Sequence, residues 1–298
     1  MATLERTLPA AGRRPFGQRA ARFFDRWLLP IYTLAAVIYL ILPVAVMILF
    51  SFNNPAGRFN LTWREFSLDA WRAPLSRPGL EEAVTNSLLI AFISTLAATT
   101  LGVLIALALV RHHFRGRSAT NLLIFLPMST PEIVLGSSLL TLFIASTQFA
   151  FVPAGALYPL GFRTILIAHI MFNISYVVVT VKARLQGFPQ NLEEAAMDLG
   201  ANEWTTFWKI TFPLILPGIL AAALLAFSLS IDDFVISNFT AGRTNTFPLY
   251  IYGAQRNGVP VQVNVLGTVI FLSAVALVLA STLFQRRRDM SAGARPLA

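Results

Sequence analysis

Few residues in this 298-residue chain carry side chains that do chemistry, and their placement narrows what that chemistry is. Cysteine is absent, and the three histidines are His112, His113 and His169. That excludes a thiol nucleophile and a structural zinc site, and no metal-binding residues are expected. Neither lysine follows a glycine (Lys182 comes after Val181, Lys209 after Trp208), so no G-x-x-x-x-G-K-[ST] loop exists to cradle a nucleotide phosphate. What remains is carboxylates set in or beside apolar sequence. Glu132 lies roughly 16 Å into an apolar run at helical rise, near a bilayer midplane, where a charge costs about 2.5–3.5 kcal/mol. It therefore reads as a group facing away from lipid. It is either a cation-attracting carboxylate on a path or a hydrogen-bonded structural carboxyl beside Pro131, whose ring frees a backbone carbonyl. Asp232 and Asp233 are adjacent at the end of another apolar run, where neighbouring carboxylates favour a cation or a solvated helix end. Ring faces at Phe172, Tyr176, Phe227 and Phe234 suit an ammonium group, although most of the 24 phenylalanines must serve packing. His169, alone on an apolar face, reads as a hydrogen-bonded core histidine rather than a proton carrier. An intramembrane enzyme built on His169 with Glu132 or an aspartate would need a compact cluster, and these residues fall on different spans at different depths.

The elements that position these groups follow from composition. Hydrophobic residues make up 56% of the chain and charged residues 12%, about half the charge a soluble domain carries. The expected class is an all-α membrane protein. Six apolar segments are long enough to cross a bilayer, at about 27–52, 87–110, 122–145, 164–181, 213–231 and 263–284. The first is too long for a signal peptide and lacks a small-residue cleavage site after it, so it reads as a retained span.

The net charge of +9 does not form a nucleic-acid face, because the basic residues cluster at the ends of apolar runs. With the N-terminus in the cytoplasm, the inside segments hold sixteen Arg and Lys and the outside loops seven. Both termini are therefore expected in the cytoplasm. The organisation expected is a basic tail at 1–26, a first transmembrane helix at 27–52 and an extracytoplasmic loop at 53–79. A larger helical domain follows at 80–284, and then a second basic tail at 285–298. Trp63, Phe66 and Trp71 make 53–86 a structured segment near the membrane interface.

The stretch 190–213 is more than a connector. Asn191 with Glu194 three residues on reads as a helix start. Leu192, Ala195, Ala196 and Leu199 share one face, and Gly200 suits a left-handed C-terminal position. A second short helix is expected from Asn202 to just before Pro213. This elbow, with a small apolar stripe among Glu193, Glu194 and Asp198, suits either docking in a partner's groove or lying on the membrane surface.

Spacing adds to that reading. Glu194-Ala195-Ala196, three residues, Gly200, nine residues, Ile210, one residue and Phe212-Pro213 closely resembles the EAA loop of ABC importer permeases, EAA-x3-G-x9-I-x-LP, with Phe212 in place of the usual Leu. The resemblance spans 80–284 and implies a type-1 permease fold of six transmembrane helices in a bacterial inner membrane. It also implies an assembly of this chain with a second permease, an ATPase dimer and an extracytoplasmic substrate-binding protein. The chain itself would then be no enzyme and hold no cofactor, with ATP and magnesium bound by the ATPase. The resemblance assigns ATPase coupling to Glu194, Ala195, Ala196, Gly200, Ile210 and Pro213. The segments 129–134, 175–177 and 227–237 further resemble putrescine and spermidine import permeases. They place Glu132, Tyr176, Asp232 and Asp233 on the substrate pathway, which agrees with a path that carries carboxylates and no buried cation. The alternatives are an ion-gradient-driven transporter using Glu132 and an ABC permease for a different small solute.

Overall fold

A computed structural model describes residues 16–148, 157–187 and 191–293; the N-terminal tail to residue 15, Pro189 and the last five residues of the C-terminal tail lie outside them. The described residues are almost entirely helical. In chain order the helices are α1 (Phe16–Phe50), α2 (Asp69–Arg72), α3 (Leu80–Arg111), α4 (Arg117–Ser129), α5 (Glu132–Ala145) and α6 (Phe162–Gln186). They continue as α7 (Asn191–Asp198), α8 (Glu203–Thr206), α9 (Phe212–Ile231), α10 (Val235–Thr240), α11 (Phe247–Asn257) and α12 (Val261–Gly293). Five are long and apolar enough to span a membrane, and the count reaches six if the sharply bent pair α4 and α5 is taken as one broken span.

The chain divides into two compact units. In the first, residues 1–74 and 261–298, α1 packs on α12, and Gly267 leaves room for the Met47 sulfur. Between α1 and α2 the chain folds on Asn53. Its amide donates to Asn60 Oδ1 (2.7 Å) and to the Thr62 carbonyl (2.8 Å), while its oxygen accepts from the Arg64 amide (2.9 Å). Phe52 stacks between Phe66 and Trp71, with centroids 5.6 and 5.2 Å away.

The second unit, residues 75–260, is built on α3, α6 and α9. Ser94 and His169 meet the same Ser230, and eight residues further along both helices Gly102 meets Val177, so α3 and α6 run in the same direction. Small residues make the contact close: Ala98, Ala106, Ala222 and Ala226 are fully buried with Val177, Val178 and Ile215. A methyl group on Gly102 would sit 2.6 Å from Val177 Cγ1 and 2.8 Å from its Cβ. The Cβ cannot swing aside, so the clash outweighs the roughly 1 kcal/mol of helix propensity gained. Gly102→Ala is expected to destabilise by about 1–3 kcal/mol; a melting temperature in detergent at or above wild type would refute this packing.

Two expectations need correction. The apolar run 122–145 is not one straight helix, because α4 and α5 meet at 110°. Pro131 has no N–H to continue the α4 ladder, and it forces Thr130 into extended backbone (φ −82°, ψ 133°). Glu132 is consequently in the first turn of a new helix at an open bend. Second, the helix that starts after Asn202 does not stop before Pro213. Asn202 caps α8 by accepting the Thr205 amide at 2.8 Å. The helix then runs through a π-helical turn, Phe207–Thr211, directly into α9. The wider turn lets Phe212 bond back to the Phe207 carbonyl, so Pro213 falls in a first turn where no N–H is needed.

Candidate functional site

Two sites emerge, both in the second unit. The elbow turns at Gly200 as its sequence implies. The Gly200 amide bonds the Met197 carbonyl (2.9 Å) and the Ala201 amide that of Ala196 (3.0 Å), closing α7 with a Schellman pair, and Gly200 has φ +89°. Glu194, Ala195 and Gly200 are exposed, Ala196 half-buried, and Leu199 is 90% exposed with Leu192 and Trp204 also uncovered. The stripe of α7 thus points outward as an apolar and acidic surface. Ile210 is half-buried in the π-helical turn, and Pro213 is exposed at the start of α9. Asn191 is itself helical, within α7, rather than its cap.

The residue that turns inward is Glu193, next to the one the motif marks. Its Oε1 accepts from Arg111 Nη2 at 2.9 Å and from the Thr211 hydroxyl at 2.7 Å. Sequence reasoning missed Arg111 and Thr211 because they belong to other elements; the one available signal was an acidic residue flanking the small-residue stripe of α7, three positions before Ala196.

The second site is at the α4–α5 bend. Glu132 is exposed and lies within electrostatic reach of both Tyr176 and Asp232. Tyr176 is half-buried on α6, its ring 5.0 Å from Phe172. What brings the aspartates here is α10, which packs on α5; a Cβ on Gly136 would lie 2.6 Å from the Phe239 ring. Three of the four residues assigned to the pathway therefore share one open neighbourhood. Partial enclosure by protein, together with the Asp233 and Glu132 charges, raises the carboxyl of exposed Asp232 above the usual range, against a lowering hydrogen bond from its own backbone.

Asp233 is placed differently. Its carboxylate accepts the Ser237 amide (2.7 Å) and the Ile236 amide (3.3 Å), capping the first turn of α10, and lies 3.2 Å from His169 Nε2. Burial alone would raise this carboxyl, but the His169 ring and the Ser237 amide hold it below the usual range. His169, 2% exposed, has Nδ1 2.7 Å from Ser230 Oγ and Nε2 3.1 Å from Ser237 Oγ, and Ser230 Oγ is 3.0 Å from Ser94 Oγ. It is a hydrogen-bonded core histidine joining α3, α6, α9 and α10, as a lone histidine on an apolar face implies.

A bundle of apolar spans with a helical elbow projecting between two of them is the architecture of an integral-membrane importer subunit. The chain belongs to the family of binding-protein-dependent transport system inner membrane components, whose model matches residues 98–289. It is 37% identical to the Haemophilus influenzae spermidine/putrescine transport system permease protein PotC, over 84% of this chain and 93% of that one. It is also 37% identical to the Escherichia coli putrescine transport system permease protein PotI, over 80% of this chain and 84% of that one. In fold it is similar to a chain of a bacterial ABC transporter involved in the import of the acidic polysaccharide alginate. That match has TM-score 0.66 at 18% identity and covers 90% of this chain and 99% of the other. The chain is accordingly a multi-pass inner-membrane permease subunit.

Proposed function

We propose that this permease imports polyamines, putrescine or spermidine, and works with a second permease, a separate ATPase dimer and an extracytoplasmic binding protein. The observation that carries the cargo is that Glu132, at the α4–α5 bend, lies within electrostatic reach of both Asp232 and Tyr176, in a chain similar to permeases named for those cargos. Carboxylates attract ammonium groups and repel anions, and a tyrosine face adds cation–π attraction. With both termini cytoplasmic, the elbow faces the cytoplasm. There Glu194 meets a basic group of the ATPase, Ala195 and Ala196 permit close approach, and Gly200 sets the turn, with Ile210 and Pro213 joining the elbow to α9. ATP and magnesium stay with the ATPase, and no covalent bond changes in this chain.

The test is uptake by the complete complex in proteoliposomes, using labelled putrescine and spermidine with and without enclosed ATP. ATP-dependent uptake that survives an uncoupler and is competed by polyamines, not by sulfate or sugars, is expected. Uptake that needs no ATP and collapses with the uncoupler would sink the ATP-driven reading. ATP-driven uptake of another solute with no polyamine transport would sink the cargo alone.

A further inference from the structure

We propose that Arg111 is a positioning residue for energy coupling: by gripping Glu193 together with Thr211, it makes the elbow move as one body with α3 and α9. This rests on the elbow being the ATPase contact. The inference begins with α7, none of whose eight residues is buried. Apolar packing therefore does not hold this helix to the rest of the unit. Beside it lies an open cleft of about 350 Å³, lined by Arg111, Glu193 and Thr211 together with Leu107, Met197 and Phe207, so α7 is not closely packed on that side.

What does reach across is a polar clamp. Arg111 is the last residue of α3 and Thr211 the last of the π-helical turn that becomes α9, and both donate to the single oxygen Glu193 Oε1 at 2.9 and 2.7 Å. The Arg111 and Glu193 side chains are each 14% exposed. A pair so enclosed contributes little net stability over an apolar pair, because desolvation offsets the Coulomb attraction, but separating its members leaves a charge buried and unpaired, which holds the two elements in register. The register fixed here is that of the elbow against the ends of two spans. The division of labour on α7 is then clear. Glu194 and Ala195 face outward to receive a push, and Glu193 faces inward to pass it on. Without the clamp, the elbow would swing into the adjoining cleft and the displacement would be lost before reaching α3 and α9.

The experiment uses the complete reconstituted complex with Arg111→Ala, Arg111→Lys and Glu193→Gln. It measures ATPase co-purifying with the permease, the rate of ATP hydrolysis, and substrate transported per ATP. Co-purification and hydrolysis should stay near wild type, while substrate per ATP falls about tenfold for Arg111→Ala and Glu193→Gln, within the usual range for coupling between two sites. Arg111→Lys, which still donates a charged hydrogen bond to Glu193, should recover most of the loss. Wild-type substrate per ATP in Arg111→Ala or Glu193→Gln would overturn the proposal. So would a parallel loss of assembly and transport in all three variants, which is the mark of a merely structural role. An Ala195→Arg complex run alongside keeps the premise separate: if it binds the ATPase as well as wild type does, the elbow is not the docking surface, whatever Arg111 does.

Discussion

A Glu194→Arg permease is expected to reach the membrane at wild-type abundance and to transport about a hundredfold more slowly, the consequence of reversing one member of the interfacial charge pair proposed above. The structure separates the fold of the unit from the contact proposed for this residue. Glu194 is exposed, and the inward bonds of α7 belong to its neighbour Glu193. Replacing Glu194 therefore leaves Arg111, Thr211 and the Gly200 turn in place, and the fold of the unit should not respond. Uptake and ATP hydrolysis are read in the same proteoliposomes, with melting temperature as the control. Loss of uptake at unchanged melting temperature is the expected pattern. Wild-type uptake would remove Glu194 from the coupling contact, and a large drop in melting temperature would mean that the side chain braces the permease itself.

The contrast between Glu193 and Glu194 shows where reading a sequence succeeds and where it stops. The elbow was legible because its determinants are local: a stripe at helical spacing and a glycine where the chain turns left-handed. The clamp was not, because Arg111 and Glu193 are 82 positions apart and meet only when α3 and the elbow are folded. The existence of the spans was legible, since apolar length is a sum over residues and tolerates local error, although the continuous helix ending at Ile231 begins ten residues before the expected start. The α4–α5 break was not, because a hydropathy run cannot see direction. Its cause was nonetheless present in Thr130-Pro131, where the ring removes an N–H and forces its predecessor extended. Pro213 misled in the opposite sense, since the π-helical turn before it absorbs the missing donor. Glu132, Tyr176 and Asp232 fall on three elements, and their convergence depends on the bend and on Gly136 admitting Phe239, neither of which has a sequence signature of site formation.

That convergence carries the second large effect. Glu132→Gln and Asp232→Asn should each raise the KM for a polyamine about tenfold, equivalent to roughly 1.4 kcal/mol of lost attraction, with the complex assembled as in wild type. Both side chains are exposed, so removing the charge leaves no buried group without a partner. Asp233→Asn should behave differently. Its two oxygens accept the Ile236 and Ser237 amides and one faces His169, so an amide there turns an NH2 group toward a donor. An unsatisfied buried donor costs about 1–3 kcal/mol, and Asp233→Asn is expected to lower the melting temperature more than either of the other two changes. Proton uptake separates the pair again. The raised Asp232 carboxyl takes up its proton at a higher pH than an ordinary aspartate does. Its ionised form is the one that attracts a cation, so wild-type affinity should fall as the pH drops through that raised value. Asp232→Asn should flatten that limb of the profile. If both Glu132→Gln and Asp232→Asn transport with wild-type KM across the pH range, the carboxylates at the bend are not what the cation meets, and recognition lies elsewhere in the assembly.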